Sequence, residues 1–213
     1  DFDSQGYTVR SYQQLFLTKM MTSCLDYIGQ ENRFEDIAIM NFDDYGMEAC
    51  PIFSEVFVSY VVRMRTLIDG VIFFHYSEEP MMVRIHQDNY GELDFSVYSS
   101  SDEIGTKWLD GFEQYFYEHG CLKGSAFDTH FNFFSPADID TERIVLDSEI
   151  EDALHRDIIN YVPLMPELRA LGIPDSRGLI LAGPPGTGKT MCAKYLMGKL
   201  DDLTRIVISG DVL

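Results

Sequence analysis

Arg177-Gly-Leu-Ile-Leu-Ala-Gly-Pro-Pro-Gly-Thr-Gly-Lys-Thr-Met-Cys-Ala-Lys-Tyr-Leu-Met-Gly-Lys-Leu200 is the stretch whose reading decides the fold. Residues 177–182 form a short apolar run suited to a buried parallel strand. Residues 183–190 combine glycines, two prolines and a lysine, and residues 191–200 carry helical periodicity. Strand, glycine-rich loop and helix in that order form the arrangement that cradles polyphosphates.

Each position in the loop has a physical reason. Gly183, Gly186 and Gly188 let the backbone wrap an anion with its N–H groups pointing inward, where side chains would clash. The following helix aims its positive dipole end at the phosphates, and Lys189 adds a full charge reaching the β- and γ-phosphates. Thr190 offers its hydroxyl to Mg²⁺ and is the candidate metal ligand. Pro184 and Pro185 stiffen the loop without adding donors. With Thr187 and Met191, these are the candidate nucleotide-binding residues: Gly183, Pro184, Pro185, Gly186, Thr187, Gly188, Lys189, Thr190 and Met191. A merely Gly-rich turn is the plain alternative. A chance match in a chain this long has odds on the order of a percent.

Upstream, Ile144-Val-Leu-Asp-Ser-Glu-Ile-Glu-Asp-Ala-Leu-His-Arg-Asp-Ile-Ile-Asn160 and Leu171-Gly-Ile-Pro-Asp-Ser-Arg-Gly178 lead into the loop. Together with it, these runs resemble the opening of a AAA-type ATPase module over about residues 144–213. Within that family they are most similar to the branch with the mitochondrial Rieske-protein translocase and its bacterial relatives. The resemblance implies ATP and Mg²⁺ as cofactors, self-association into a ring and a protein substrate that is remodelled or translocated. It also implies that Leu146 to Ser148 and Gly172 lie around the adenine.

The family's hydrolytic parts are an apolar strand ending in Asp-Glu, a polar sensor residue, an arginine finger and a C-terminal lid. None follows the loop here. Arg205-Ile-Val-Ile-Ser-Gly-Asp211 lacks the Asp-Glu pair and resembles the family's second strand, so Asp211 is not taken as the catalytic acid. The expectation is a chain cut from a longer ATPase, with no catalytic residue of its own and no turnover when tested alone. Two other readings stay open. A small-kinase type of phosphotransferase uses the same strand, loop and helix, although those enzymes commonly place Gly after the Lys. A non-enzymatic interaction module would hold a static nucleotide site.

Charge divides the chain. Of 35 acidic and 16 basic residues, residues 151–213 hold 8 and 7, leaving 27 and 9 in residues 1–150, or −1 against −18. The step marks a boundary near residue 145; the expectation is an acidic α+β N-terminal domain over 1–140, followed over 141–213 by what the resemblance implies, the incomplete start of an α/β P-loop NTPase domain of AAA type. An acidic first segment lacks the Lys and Arg that neutralise phosphates, so nucleic-acid binding is not expected from it. A solvated surface or a docking face for a basic partner fits it better.

Within the first segment, residues 11–29 read as one amphipathic helix stopped at Gly29 and residues 37–42 as a strand. Phe53–Leu67 has the Val and Phe content of a strand and the length of a helix; helix is the expectation. Residues 71–76, 81–86 and 93–98 suggest an antiparallel meander. Ser101 opens a helix whose Trp108, Phe112, Tyr115 and Phe116 form a core stripe, and Gly120 closes it. His119 with Cys121, and Asp128 with His130, are conceivable metal-ligand pairs, though packed side chains explain them as well.

The four cysteines are far apart and form no C-x-x-C, which fits a reducing compartment; the expectation is cytoplasmic. No run is long and apolar enough for a spanning helix. The first residue is Asp, so a processed start with a removed targeting peptide is compatible with the sequence.

Overall fold

The computed structural model describes residues 6–10, 12–42, 46–87, 92–135, 138, 141 and 144–208. Its first sheet is antiparallel: β1 (Gly6–Val9), β2 (Ala38–Phe42), β3 (Glu48–Ala49), β4 (Ile52–Phe57), β5 (Arg63–Tyr76), β6 (Glu79–Gln87) and β7 (Leu93–Ser99). The strands lie in the order β1-β7-β6-β5-β2-β3, with β4 also on β5. The long β5 serves three neighbours: Arg63–Asp69 pairs with β4, Gly70–Tyr76 with β6, and Val71–Phe73 also with β2. The expected meander is therefore present, extended at both ends.

Phe53–Leu67 is a hairpin rather than a helix. Phe57 pairs with Arg63, and the tip closes through Val58 N–H to the Val62 carbonyl at 2.9 Å, with Ser59 Oγ accepting from Val62 N–H at 3.0 Å. The β-branched and aromatic content prevailed because β5 supplies a partner along the whole of β4, and Ser59 turns the chain without Gly or Pro.

Three helices accompany the sheet: α1 (Gln14–Met21), α2 (Cys24–Ile28) and α3 (Asp102–His119). The single helix expected over 11–29 is interrupted at Thr22–Ser23, where Thr22 Oγ1 bonds the Lys19 carbonyl at 2.6 Å, a local alternative to helical pairing. Ser101 caps α3, accepting from Ile104 N–H at 3.4 Å, and Gly120 follows its last residue. Trp108, Phe112 and Phe116 are buried with Leu17, Met20, Ile72, Val83 and Phe95 in one core, while Tyr115 is half-buried against Tyr27.

Two further strands, β8 (Ala126–Asp128) and β9 (Arg205–Val207), pair in parallel, Phe127 opposite Ile206. Between them in the chain lie α4 (Ser148–Leu154), a π-helical continuation over His155–Ile159, α5 (Met165–Ala170) and α6 (Lys189–Lys199). A small second core gathers Leu154, Cys192 and Tyr195, with Ile144, Leu146, Ile159, Leu181 and Leu196 packed against it. Arg177–Ala182 is not a buried strand. No strand is assigned there, and Ile180 is 92% exposed. A buried parallel strand needs a partner on each side, and β9 has paired with β8 instead.

Candidate phosphate-binding loop

The loop is built on two left-handed glycines. Gly186 has φ +81° and Gly188 φ +87°, and a Cβ at either would meet nothing within 4 Å. The requirement for glycine there is conformational rather than steric: any L-residue would be strained in that backbone region. Gly188 is the N-cap of α6, whose first residue is Lys189, and Cys192 N–H closes the first turn on the Gly188 carbonyl at 3.0 Å. The N–H groups that open α6 have no partner within the helix and sit beside the loop.

The Lys189 ammonium lies back across the loop, donating to the carbonyls of Gly183 at 2.8 Å and Pro184 at 2.7 Å. Thr187 Oγ1 donates to the same Pro184 carbonyl at 2.9 Å. Gly183, Pro184, Pro185, Gly186, Thr187, Thr190 and Met191 are exposed and Lys189 is half-buried, so the candidate residues form one accessible cluster. Left-handed glycines, an exposed helix N-terminus and a lysine whose partners among the described residues are neutral carbonyls form a donor set that fits a polyphosphate. The Thr190 hydroxyl, next along α6, fits a hard cation riding on it.

The approach to the loop is pinned by side chains. Tyr161 donates to the Pro174 carbonyl at 3.2 Å while the Arg177 guanidinium stacks 5.0 Å over the Tyr161 ring. Arg169 binds Asp175 through Nε at 2.7 Å, and this hydrogen bond holds the Asp175 carboxyl below its usual range. Of the residues expected around a base, Leu146 packs on the second core, Ser148 starts α4 behind its Asp147 cap, and Gly172 ends the turn after α5. Asp211 lies outside the described residues.

Behind the loop, a polar contact crosses from α6 to α4. Tyr195 is 4% exposed; its hydroxyl donates to Glu151 Oε1 at 2.7 Å and meets His155 Nε2 at 3.0 Å. Burial, then the hydrogen bond to Glu151 and its charge, push the Tyr195 phenol up to about 12. This trio was missed in the sequence, where Tyr195 is only one residue of a run with helical periodicity.

The two conceivable metal pairs have structural surroundings. His119 packs on Tyr115, ring centroids 4.8 Å apart, and Cys121 Sγ lies 4.0 Å from Thr22 Oγ1. Asp128 Oδ1 accepts from His130 N–H at 2.8 Å and Asn132 N–H at 3.0 Å. Among the described residues no group of three or more His, Cys, Asp or Glu could hold a metal ion.

Residues 179–212 match the ATPase family associated with various cellular activities (AAA). The matched segment begins four residues before Gly183 and so contains the whole loop and α6. The chain is similar over 59 residues, at 39% identity, to the 26S proteasome regulatory subunit 7 homolog of Saccharomyces cerevisiae. Over 53 residues it is 40% identical to the ATP-dependent zinc metalloprotease FtsH 2 of Petrotoga mobilis, and over 59 residues 37% identical to the ATPase family gene 2 protein homolog A of Homo sapiens. These alignments cover 27%, 25% and 27% of the chain, and 13%, 8% and 7% of the relatives. The chain thus spans only a small part of the length of the proteins it matches. Among the described residues no helix is long and apolar enough to cross a membrane.

Proposed function

We propose that this chain binds ATP with Mg²⁺ through residues 183–191 and belongs to an ATPase that couples hydrolysis to remodelling or translocation of a macromolecular substrate. The observation that carries the reading is the conjunction of left-handed Gly186 and Gly188 with Lys189 as the first residue of α6. The backbone N–H groups and the Lys189 ammonium, once swung from the Gly183 and Pro184 carbonyls, hold the phosphates, and Thr190 holds the cation. Bound Mg²⁺ supplies charge neutralisation at the β- and γ-phosphates. Leu146 to Ser148 and Gly172 lie toward the base.

In this reading residues 1–140 recognise or position a protein substrate or assemble subunits, residues 141–213 start the AAA module, and the working form is a ring in a cytoplasmic setting. Similarity to a 26S proteasome regulatory subunit and to an ATP-dependent zinc metalloprotease supports protein as the substrate class, and the "Leu-Asp" and "Gly-Ile-Pro…Arg-Gly" runs support the Rieske-translocase branch.

The cation arm is tested by titrating ATP into the chain with Mg²⁺ or with EDTA, beside Thr190→Val. The parent chain is expected to bind more tightly with Mg²⁺, and Thr190→Val to lose most of that difference. An undiminished Mg²⁺ effect in the variant removes Thr190 from the site.

A further inference from the structure

The second core is apolar, and one half-buried polar contact lies against it. There the Tyr195 hydroxyl, on α6, donates to Glu151 on α4 at 2.7 Å and meets His155, at the start of the π-helical turn, at 3.0 Å. Because the hydroxyl spends its proton on the carboxylate, its oxygen accepts from His155 Nε2–H. Apolar contacts allow two helices to slide, whereas a half-buried hydroxyl held from two sides fixes one register. Ile144 and Leu146, from the segment leading into α4, and Leu181, two residues before Gly183, pack against the cluster of Leu154, Cys192 and Tyr195. One cluster therefore joins the helix that begins with Lys189, the approach to the loop and the 144–147 segment.

We infer that Tyr195, Glu151 and His155 are positioning residues that hold the 144–148 segment beside the loop, so that the base and ribose end of a nucleotide is gripped as well as its phosphates. The inference rests on the nucleotide reading above and adds residues that never touch the ligand. The phosphate end depends on the loop backbone and Lys189, which the trio does not contact. Disrupting the trio therefore costs affinity for the nucleoside part alone.

The test compares Mg²⁺-ATP with Mg²⁺-bound inorganic triphosphate as ligands of the 213-residue chain. Tyr195→Phe removes the hydroxyl and keeps the ring, and Glu151→Ala removes the acceptor. Each is expected to weaken ATP binding by about 3- to 10-fold, the size of one or two lost hydrogen bonds, and to leave triphosphate within about twofold. The double variant is expected to be little worse than either single one, because both break the same contact. Lys189→Ala loses both ligands. Unchanged ATP affinity in Tyr195→Phe, or equal loss of ATP and triphosphate, overturns the positioning role. Failure of the parent chain to bind ATP, or full ATP binding by Lys189→Ala, instead overturns the nucleotide reading beneath it.

Discussion

The Arg205 guanidinium donates to the Gly124 carbonyl at 2.7 Å, and its other terminal nitrogen to the Met197 carbonyl at 2.6 Å. Gly124 belongs to the turn before β8, and Met197 to the last turns of α6. One side chain thus ties the helix that carries the loop to the acidic N-terminal part. Arg205 N–H to the Ser125 carbonyl at 2.9 Å and Thr204 Oγ1 to the Leu122 carbonyl at 3.0 Å extend the seam into the β8–β9 pairing.

Arg205→Met should loosen this seam while keeping the apolar stem. Loss of hydrogen bonds from a charged donor costs about 1.5–3 kcal/mol. Amide exchange at Phe127 and Ile206 is expected to accelerate, with the amides of β6 and β7 unaffected. Equal protection in both proteins means that Arg205 does not hold the seam.

The buried members of the larger core run from Leu17 to Phe127, and none comes from α4, α5 or α6. Residues 1–140 are therefore expected to fold by themselves, with one cooperative urea transition. Phe112→Ala, at a fully buried ring, should cost that unit about 3–5 kcal/mol. A non-cooperative transition for residues 1–140 contradicts a separate domain.

Tyrosines supply the pH dependence. Burial, then the nearby Tyr76 and Glu31 charges, push the Tyr27 phenol up to about 12, as burial and Glu151 do for Tyr195. A phenol raised above its ordinary value of 10.0 stays protonated in the folded chain after the unfolded chain has ionised. Its contribution is fully present below pH 10 and falls as pH climbs toward about 12. The part of the tyrosinate absorbance lost in Tyr27→Phe should rise late and together with alkaline unfolding, and that variant should unfold less steeply over the window. A reversible rise of that Tyr27 part near pH 10 with the fold intact contradicts this.

How far the sequence could be read depended on the distance over which each element is decided. The α3 helix was legible because Ser101, Gly120 and the Trp108-Phe112-Phe116 stripe act within a few turns. The order of loop and α6 was legible for the same reason, since Gly186 and Gly188 constrain their own backbone. The β4–β5 hairpin was not, because Val58 to Val62 offers no Gly or Pro and the choice between helix and strand was settled by a partner strand. Arg177–Ala182 had the composition of a buried strand, yet burial depends on neighbours far along the chain, and Ile180 is exposed. The pairing of β8 with β9 and the Tyr195–Glu151 bond likewise join residues whose proximity no local pattern announces.

The central claim is that Lys189 anchors ATP in this loop, and calorimetric titration of Mg²⁺-ATP into the parent chain and into Lys189→Ala tests it most directly. The ammonium is the charge at the head of α6, and its described partners are neutral carbonyls that compete poorly with phosphate. The account predicts saturable one-to-one binding by the parent chain and no measurable heat of binding by Lys189→Ala, with both proteins showing the same far-UV circular dichroism. Equal ATP affinity in the two proteins would contradict it.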